Sequence, residues 1–453
     1  MLNKKISLLL LSVLTLSACS QNGPTSATNV KTNEPSPTTG AVTSTAPTAS
    51  PAGEPITLRY VRGSGVSPSE QKMLDLFTEQ NPNIKIQIEQ AKGGGLSDVM
   101  EKIAALQAAG TPADITWVQD IIPFGKDDLL LDLTPYLQSD PVLSAAKIPK
   151  NSLPGLQYKG VQLGLPRAEN PMVIYVNKDL LAKNGIDMPK NDWTWNDYRE
   201  IAKKVTKPSD SEYGVGYGPF NINTIASALG VSNGSAANLN FMDAENKLST
   251  LTTPEARRDI EWLADFSRVD GSRATWEKTQ KEGIEWNSGK IAFEVHGVWE
   301  GKNIKENAKF NWDVLPLPKG TVKQVGINVA TGIGVLKASK NPEGAVKFLA
   351  FMHTMEAQKL MMENGDFPLT EDEELKQALL ETPIWKGTNI NAVTSVEMMA
   401  GGPIVGSDQN VQWWNGEILD AFREGKDLNK AIFDQAQHYN EVAPKLRAEL
   451  GLD

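Results

Sequence analysis

Ile56-Thr-Leu-Arg-Tyr-Val61, Ser67-Pro-Ser-Glu70, Ile84-Lys-Ile-Gln-Ile88 and Ala113-Asp-Ile-Thr-Trp-Val118 decide the fold. The first, third and fourth alternate or concentrate apolar residues as strands do. Ser67 and Glu70 form a capping box with Pro68 at the first helical position, and Met73, Leu74 and Phe77 supply the apolar stripe of the helix that follows. Asn81-Pro82 ends that helix. A second helix carries Val99, Ile103 and Leu106 inward and stops at Gly110. Strand, helix, strand, helix, strand in this order predicts a parallel sheet with crossover helices, whose ligands sit beyond the carboxyl ends of the strands.

A second unit of the same style opens at Pro171–Asn177 (PMVIYVN), with a helix from Asp179 and another capped by Thr194-Trp-Asn-Asp197. Thr253-Pro-Glu255 and Asn341-Pro-Glu343 announce further helices. Strands are expected at Ile291–His296, Asp313–Leu317 and Ile333–Ala338, and a helical C-terminus after Trp414. Two α/β lobes are the economical packing for a chain of 453 residues.

Upstream of Ile56 the sequence changes character. Lys4 and Lys5 precede an apolar run of 11 residues, Ile6 to Leu16, followed by Leu16-Ser-Ala-Cys19. A membrane-crossing helix needs roughly 20 apolar residues, so 1–18 reads as a signal peptide. Leu16-Ser-Ala-Cys19 resembles the bacterial lipobox, which makes Cys19 the lipidated N-terminus of the mature chain. Between 20 and 55 stand eight Thr, six Pro, five Ser and three Gly with no aromatic residue, Leu or Ile. Such a segment buries too little apolar surface to order itself, so 19–55 is expected to be an acylated, disordered tether.

Composition narrows the function. The formal net charge is −10 and no basic run interrupts it, which excludes a nucleic-acid partner. One cysteine permits no intramolecular disulfide and no Cys-based zinc site, and His296, His353 and His438 are too scattered for a metal motif. Gly93-Gly-Gly95 lacks the Lys-Ser/Thr of a phosphate loop and reads as a turn before a helix.

Seven segments, in order, resemble the extracellular solute-binding proteins of ABC importers, in the maltodextrin-binding branch. They are Phe77-Thr-Glu-Gln-Asn-Pro-Asn-Ile84, Pro112-Ala-Asp-Ile-Thr-Trp117, Leu163-Gly-Leu-Pro166, Ile174-Tyr-Val-Asn-Lys-Asp-Leu-Leu181, Gly289-Lys-Ile-Ala-Phe-Glu-Val-His-Gly-Val-Trp299, Gly334-Val-Leu-Lys-Ala-Ser-Lys-Asn-Pro-Glu-Gly-Ala345 and Gly365-Asp-Phe-Pro368. The resemblance implies an α/β, two-lobed type II periplasmic-binding-protein-like fold, each lobe a largely parallel sheet flanked by helices. It places one lobe at 56–168 plus 320–383 and the other at 169–319 plus 384–453, with the ligand in the cleft between them. It further implies a non-catalytic protein without cofactor or metal. Its expected partners are a carbohydrate and the membrane permease subunits of the importer. The chain is expected to be a monomer, lipid-anchored to the outer face of the bacterial cell membrane.

The same resemblance nominates ligand residues. Sugars present apolar C–H faces to aromatic rings and hydroxyls to carboxylates and amides. Trp117 and Asp120 match a Trp-x-x-Asp after the third strand, although Ile121 stands where the maltodextrin members carry arginine. Glu169, with Asn170 beside it, matches a carboxylate at the first crossover, the alternative being a salt bridge between Arg167 and Glu169. Trp299 matches the main stacking platform, with Gly297 permitting a tight turn before it. Trp413, rather than Trp414, is favoured from an aromatic pair, and Asp366 sits in a loop that borders the cleft. Trp193 and Trp195 flank a helix cap and read as core. A polyamine receptor is the rival reading, since aromatics and carboxylates also suit an ammonium. A secreted glycoside hydrolase would need a pair of carboxylates that no local signature marks.

Overall fold

The computed structural model describes residues 54–218, 220–400 and 416–450. The signal segment, Cys19, the tether up to residue 53, Trp413 and Trp414 lie outside the described residues. Thirteen strands are described, taken here in chain order. They are β1 (Ile56–Arg62), β2 (Ile84–Gln90), β3 (Ile115–Val118), β4 (Gln157–Tyr158), β5 (Val161–Gln162), β6 (Leu165–Ala168) and β7 (Met172–Asn177). Then follow β8 (Tyr213–Val215), β9 (Ile291–Gly297), β10 (Trp312–Leu315), β11 (Gly326–Asn328), β12 (Thr331–Val335) and β13 (Met398–Ala400).

The first large sheet has the order β2-β1-β3-β12-β6. β1 pairs in parallel with β2 from Ile56↔Ile84 to Arg62↔Gln90, and β3 runs parallel to β1. Helix Pro68–Gln80 forms where the sequence places it, with the Ser67–Glu70 capping box closed in both directions. Its Met73, Leu74 and Phe77 pack on Leu58, Tyr60 and Ile115, together with Phe348 and Leu349 of helix Pro342–Met352. The other face of this sheet buries Val61 and Val118 against Val99 and Ile103.

The second sheet has the order β10-β7-β9-β8. β7 is buried along its whole length. Met172, Ile174 and Val176 enter one core, while Val173 and Tyr175 enter another on the opposite face. That double burial explains the unbroken apolar run PMVIYVN. Trp193 and Trp195 are core residues, 3% and 4% exposed.

Both sheets are mixed rather than largely parallel. β12 runs antiparallel to β3 and β6, and β7 antiparallel to β9 and β10. The reason is the chain path. It leaves the first sheet after β6 to enter β7 and returns after β10 to form β12, so the outgoing and returning legs pair in opposite senses. Isolated bridges Glu169↔Phe367 and Pro171↔Asn328 mark the crossing. From Met362 onward, Phe367, Leu375, Leu379, Ile384 and Trp385 pack with Val173 and Tyr175 of the second sheet. The final helix, Leu428–Leu450, sets Tyr439 and Ala443 against both Ile122 and Met242. Among the described residues no helix is long and apolar enough to cross a membrane.

Candidate functional site

The carboxyl ends of β1, β2 and β3 converge on the backbone of Gly63 and Gly94. A Cβ on Gly63 would stand 2.9 Å from the Gly94 carbonyl oxygen, and Gln119 Nε2 donates to that same oxygen at 2.9 Å. Trp117 lies half-buried at this edge, with the Arg167 guanidinium 5.7 Å from its ring centroid. Its indole Nε1 is buried and makes no hydrogen bond to a described residue. Asp120 caps helix Ile121–Lys126 by accepting from the Ile122 amide at 3.0 Å, so one of its oxygens has a structural task.

Beneath Trp117 is a buried charge cluster that sequence reasoning missed. Glu70 accepts from Arg62 Nη1 at 2.9 Å and Arg62 Nη2 at 3.2 Å, from Arg167 Nη2, and from the Ser67 amide at 3.0 Å. Arg167 Nε also donates to the Tyr60 hydroxyl at 3.2 Å. Burial works to raise the Glu70 carboxyl, but Arg167 and Arg62 outweigh it and hold the group below its ordinary range. Asp366 lies within the field of the same arginines. Burial pushes it up to about 6, against the pull of Arg167 and with the repulsion of Glu70 added. Two of the nominated residues, Trp117 and Asp366, thus meet through Arg167.

The alternative reading of Glu169, a salt bridge with Arg167, does not form; Glu70 takes Arg167 instead. The pairing of β6 with β12 slips between Thr331↔Ala168 and Gly332↔Pro166, which leaves Arg167 as the residue without a register partner. A bulge of this kind re-aims the side chains that follow it, so residues two apart no longer share a face. Glu169 accepts from Asn328 Nδ2 through Oε2. Its Oε1 is buried without a hydrogen bond of good geometry to a described residue, although the Ser152 hydroxyl stands close enough to favour the charged form. Burial still dominates and raises the Glu169 carboxyl. Asn170 is committed to the crossover: its amide nitrogen donates to Asn328 Oδ1 at 2.8 Å and its Nδ2 to the Val329 carbonyl at 3.0 Å. A cavity of about 290 Å³ opens beside Glu169, lined also by Ser152, Asn328, Phe367, Thr370 and Met398. Neither Trp117 nor Trp299 lines it.

At the end of β9, Trp299 folds back over Gly297. A Cβ on Gly297 would lie 1.8 Å from the indole Cζ3. Phe220 meets the Trp299 ring edge-on, with centroids 5.6 Å apart, and meets His296 at 5.0 Å. Burial lowers the proton affinity of His296, although nearby Glu300 works the other way. All three rings are only half-buried. Phe220 was not nominated from sequence. Its only signal is an aromatic shortly after Gly216-Tyr-Gly218 and a short strand, a pattern with no chemistry of its own. The structure thus places the described candidates in three groups: Trp117 and Asp366 around Arg167, Glu169 and Asn170 at the crossover, and Trp299 with Phe220 and His296 at the second sheet. Asp120 stands three residues beyond Trp117, at the start of its helix.

A family model described as bacterial extracellular solute-binding protein matches residues 63–359. Among curated relatives, an uncharacterized lipoprotein of Streptomyces antibioticus is 25% identical over 283 residues, covering 60% of each chain. Among solved structures, an ABC substrate-binding protein of Listeria monocytogenes in complex with cycloalternan aligns with a TM-score of 0.75 at 24% identity, covering 86% of this chain and 100% of that one. The sugar-binding protein MalE of Xanthomonas citri aligns with a TM-score of 0.69 at 16% identity, covering 88% and 100%.

Proposed function

The chain belongs to the bacterial extracellular solute-binding protein family, with its two-lobed type II fold, and on that premise we propose that it captures a carbohydrate for an ABC importer. The observation that carries the reading is the half-buried ring group of Trp299, Phe220 and His296 just past a strand end, where sheets of this architecture meet ligands. Trp299 offers the main stacking face and Trp117 a second. Asp120 and Glu169 accept hydroxyl hydrogens, and the Ser152 hydroxyl stands beside the Glu169 carboxyl. Asn170 and Asp366 border the site, and Trp413, outside the described residues, is assigned to it by the family resemblance alone. The cycloalternan held by the Listeria protein supports an oligosaccharide.

In this reading the lobes follow the two sheets, 56–168 plus 320–383 and 169–319 plus 384–453. They close on ligand by a hinge motion at the crossovers. The mature protein is a monomer held by lipidated Cys19 on the outer face of the cell membrane, where it hands its ligand to the permease subunits. It performs no catalysis. A polyamine is the alternative ligand, since aromatic rings and carboxylates also suit an ammonium. Calorimetry against a panel of mono- and oligosaccharides with spermidine in parallel tests this. Saccharide binding with no spermidine response is expected; spermidine binding with no saccharide response overturns the proposal.

A further inference from the structure

Behind the ring group, strand β9 carries a buried carboxylate for which nothing described so far has a use. Glu294 is 5% exposed, and it fills the space beside two glycines of the segment that follows β8. A Cβ on Gly216 would stand 2.4 Å from its Oε2, and one on Gly218 would stand 1.4 Å from its Oε1. Any side chain at Gly218 would displace the carboxylate outright. The same segment is tied to β9 a second time. Asn221, fully buried, accepts from the Val295 amide through Oδ1 at 2.8 Å, and its own amide nitrogen donates to the Gly218 carbonyl at 3.0 Å. Between these two anchor points the chain puts out Phe220, whose ring then meets His296 and Trp299 of the strand that holds it.

Opposite the carboxylate stands Arg273, 2% exposed, its guanidinium over the rings of Tyr217 and Phe266 at 5.3 and 5.7 Å. None of its three side-chain nitrogens makes a hydrogen bond to a described residue. Arg273 therefore acts on Glu294 as a charge across a gap. A buried ionisable pair of this sort is costly and is weak evidence of stability alone. Its position suggests what it does instead.

We propose that Glu294 is a positioning residue of the ligand site: its carboxylate, seated against Gly216 and Gly218, fixes the segment that presents Phe220 to Trp299. The proposal rests on the carbohydrate reading for the purpose of the platform, while its mechanical part stands without it. Because Glu294, Val295, His296 and Trp299 belong to one strand and the turn after it, the segment and the main stacking ring share one rigid reference.

The test uses the full chain and three variants, Glu294→Ala, Glu294→Gln and Gly218→Ala, followed by amide hydrogen exchange and by calorimetry with the saccharide that the wild type binds. Glu294→Ala is expected to speed exchange at Gly216–Gly218 and Phe220–Ile222 by about tenfold or more while β7 and β9 stay protected. Saccharide affinity should fall about tenfold, equivalent to about 1.4 kcal/mol. Glu294→Gln keeps the shape and should restore most of both. Gly218→Ala puts a methyl group where the carboxylate stands and should reproduce Glu294→Ala with Glu294 still present; it also decides the matter if Glu294→Ala does not fold. Unchanged exchange in this segment in Gly218→Ala overturns the inference, as does uniform loosening of the whole second sheet. If the wild type binds no saccharide, the functional reading fails, and the exchange measurements still decide the positioning claim.

Discussion

Replacing Glu70 by Ala tests the charge cluster under Trp117. The carboxylate is shared by Arg62 and Arg167, and the three side chains are only 8%, 5% and 13% exposed. At such exposure solvent screens little. Removing the shared carboxylate leaves two buried guanidinium groups without their common partner, a change that typically costs about 3–5 kcal/mol. The capping box on helix Pro68–Gln80 is lost as well, though its share is smaller, commonly ~1 kcal/mol. Asp366 pulls the other way. Freed from the repulsion of Glu70, it ionises more readily and takes over part of the pairing with Arg167, so the loss should sit near the lower end, about 3 kcal/mol. Glu70→Ala with Asp366→Asn should then cost more than the two single changes added together. The sign with pH follows from the folded carboxyl lying below its usual 4.5. The unfolded chain binds the proton first, so the stabilisation is fully present above the usual carboxylate range and is lost as pH falls through the depressed folded value. Urea unfolding followed by tryptophan fluorescence, at pH 7 and at steps down through the carboxylate range to about pH 2, measures both features. A loss under about 1 kcal/mol at pH 7, the size of an exposed ion pair, would refute the argument. So would a gap between wild type and variant that stays constant on acidification.

Trp299→Ala should lower saccharide affinity at least ~30-fold, the usual scale for a central aromatic anchor, while the melting temperature without ligand changes little. A large fall in melting temperature with unchanged affinity in the remaining folded protein would show that the ring serves the core. Cys19→Ser should move the protein from the membrane fraction to the soluble extracytoplasmic fraction, and a variant still bound to membranes after fractionation would remove the lipid anchor from the proposal.

Local signals made the first lobe legible. The alternation at Ile56–Val61 and the Ser67–Glu70 box need only neighbours a few residues away, and both structures form as read. The pairing sense of the strands was not legible, because it depends on which way the chain runs after crossing between sheets. Glu70 shows the same divide within one residue. Its capping task lies three residues from Ser67, yet its pairing with Arg167 spans 97 residues and exists only once β1, β6 and the helix have packed. No periodicity carries that information. Arg167 and Glu169, two apart, offered the short-range pairing instead, and the slip in the β6–β12 register undid it.

The glycines make the limit sharper. Gly297 was read as the residue that allows a tight turn before Trp299, but its φ is −78°, a conformation open to any residue. What excludes a side chain is the indole lying where a Cβ would be. Gly216 and Gly218 follow the same logic with the Glu294 carboxylate in place of the ring. In each case the glycine keeps space for a functional or positioning group that arrives from elsewhere in sequence or folds back on it. A sequence pattern reports that a side chain is missing; only the packed neighbours report what the vacated space is for. Trp299 stands in a motif that a sequence can display, whereas the approach of Phe220 and Glu294 exists only once β8 and β9 pair in parallel.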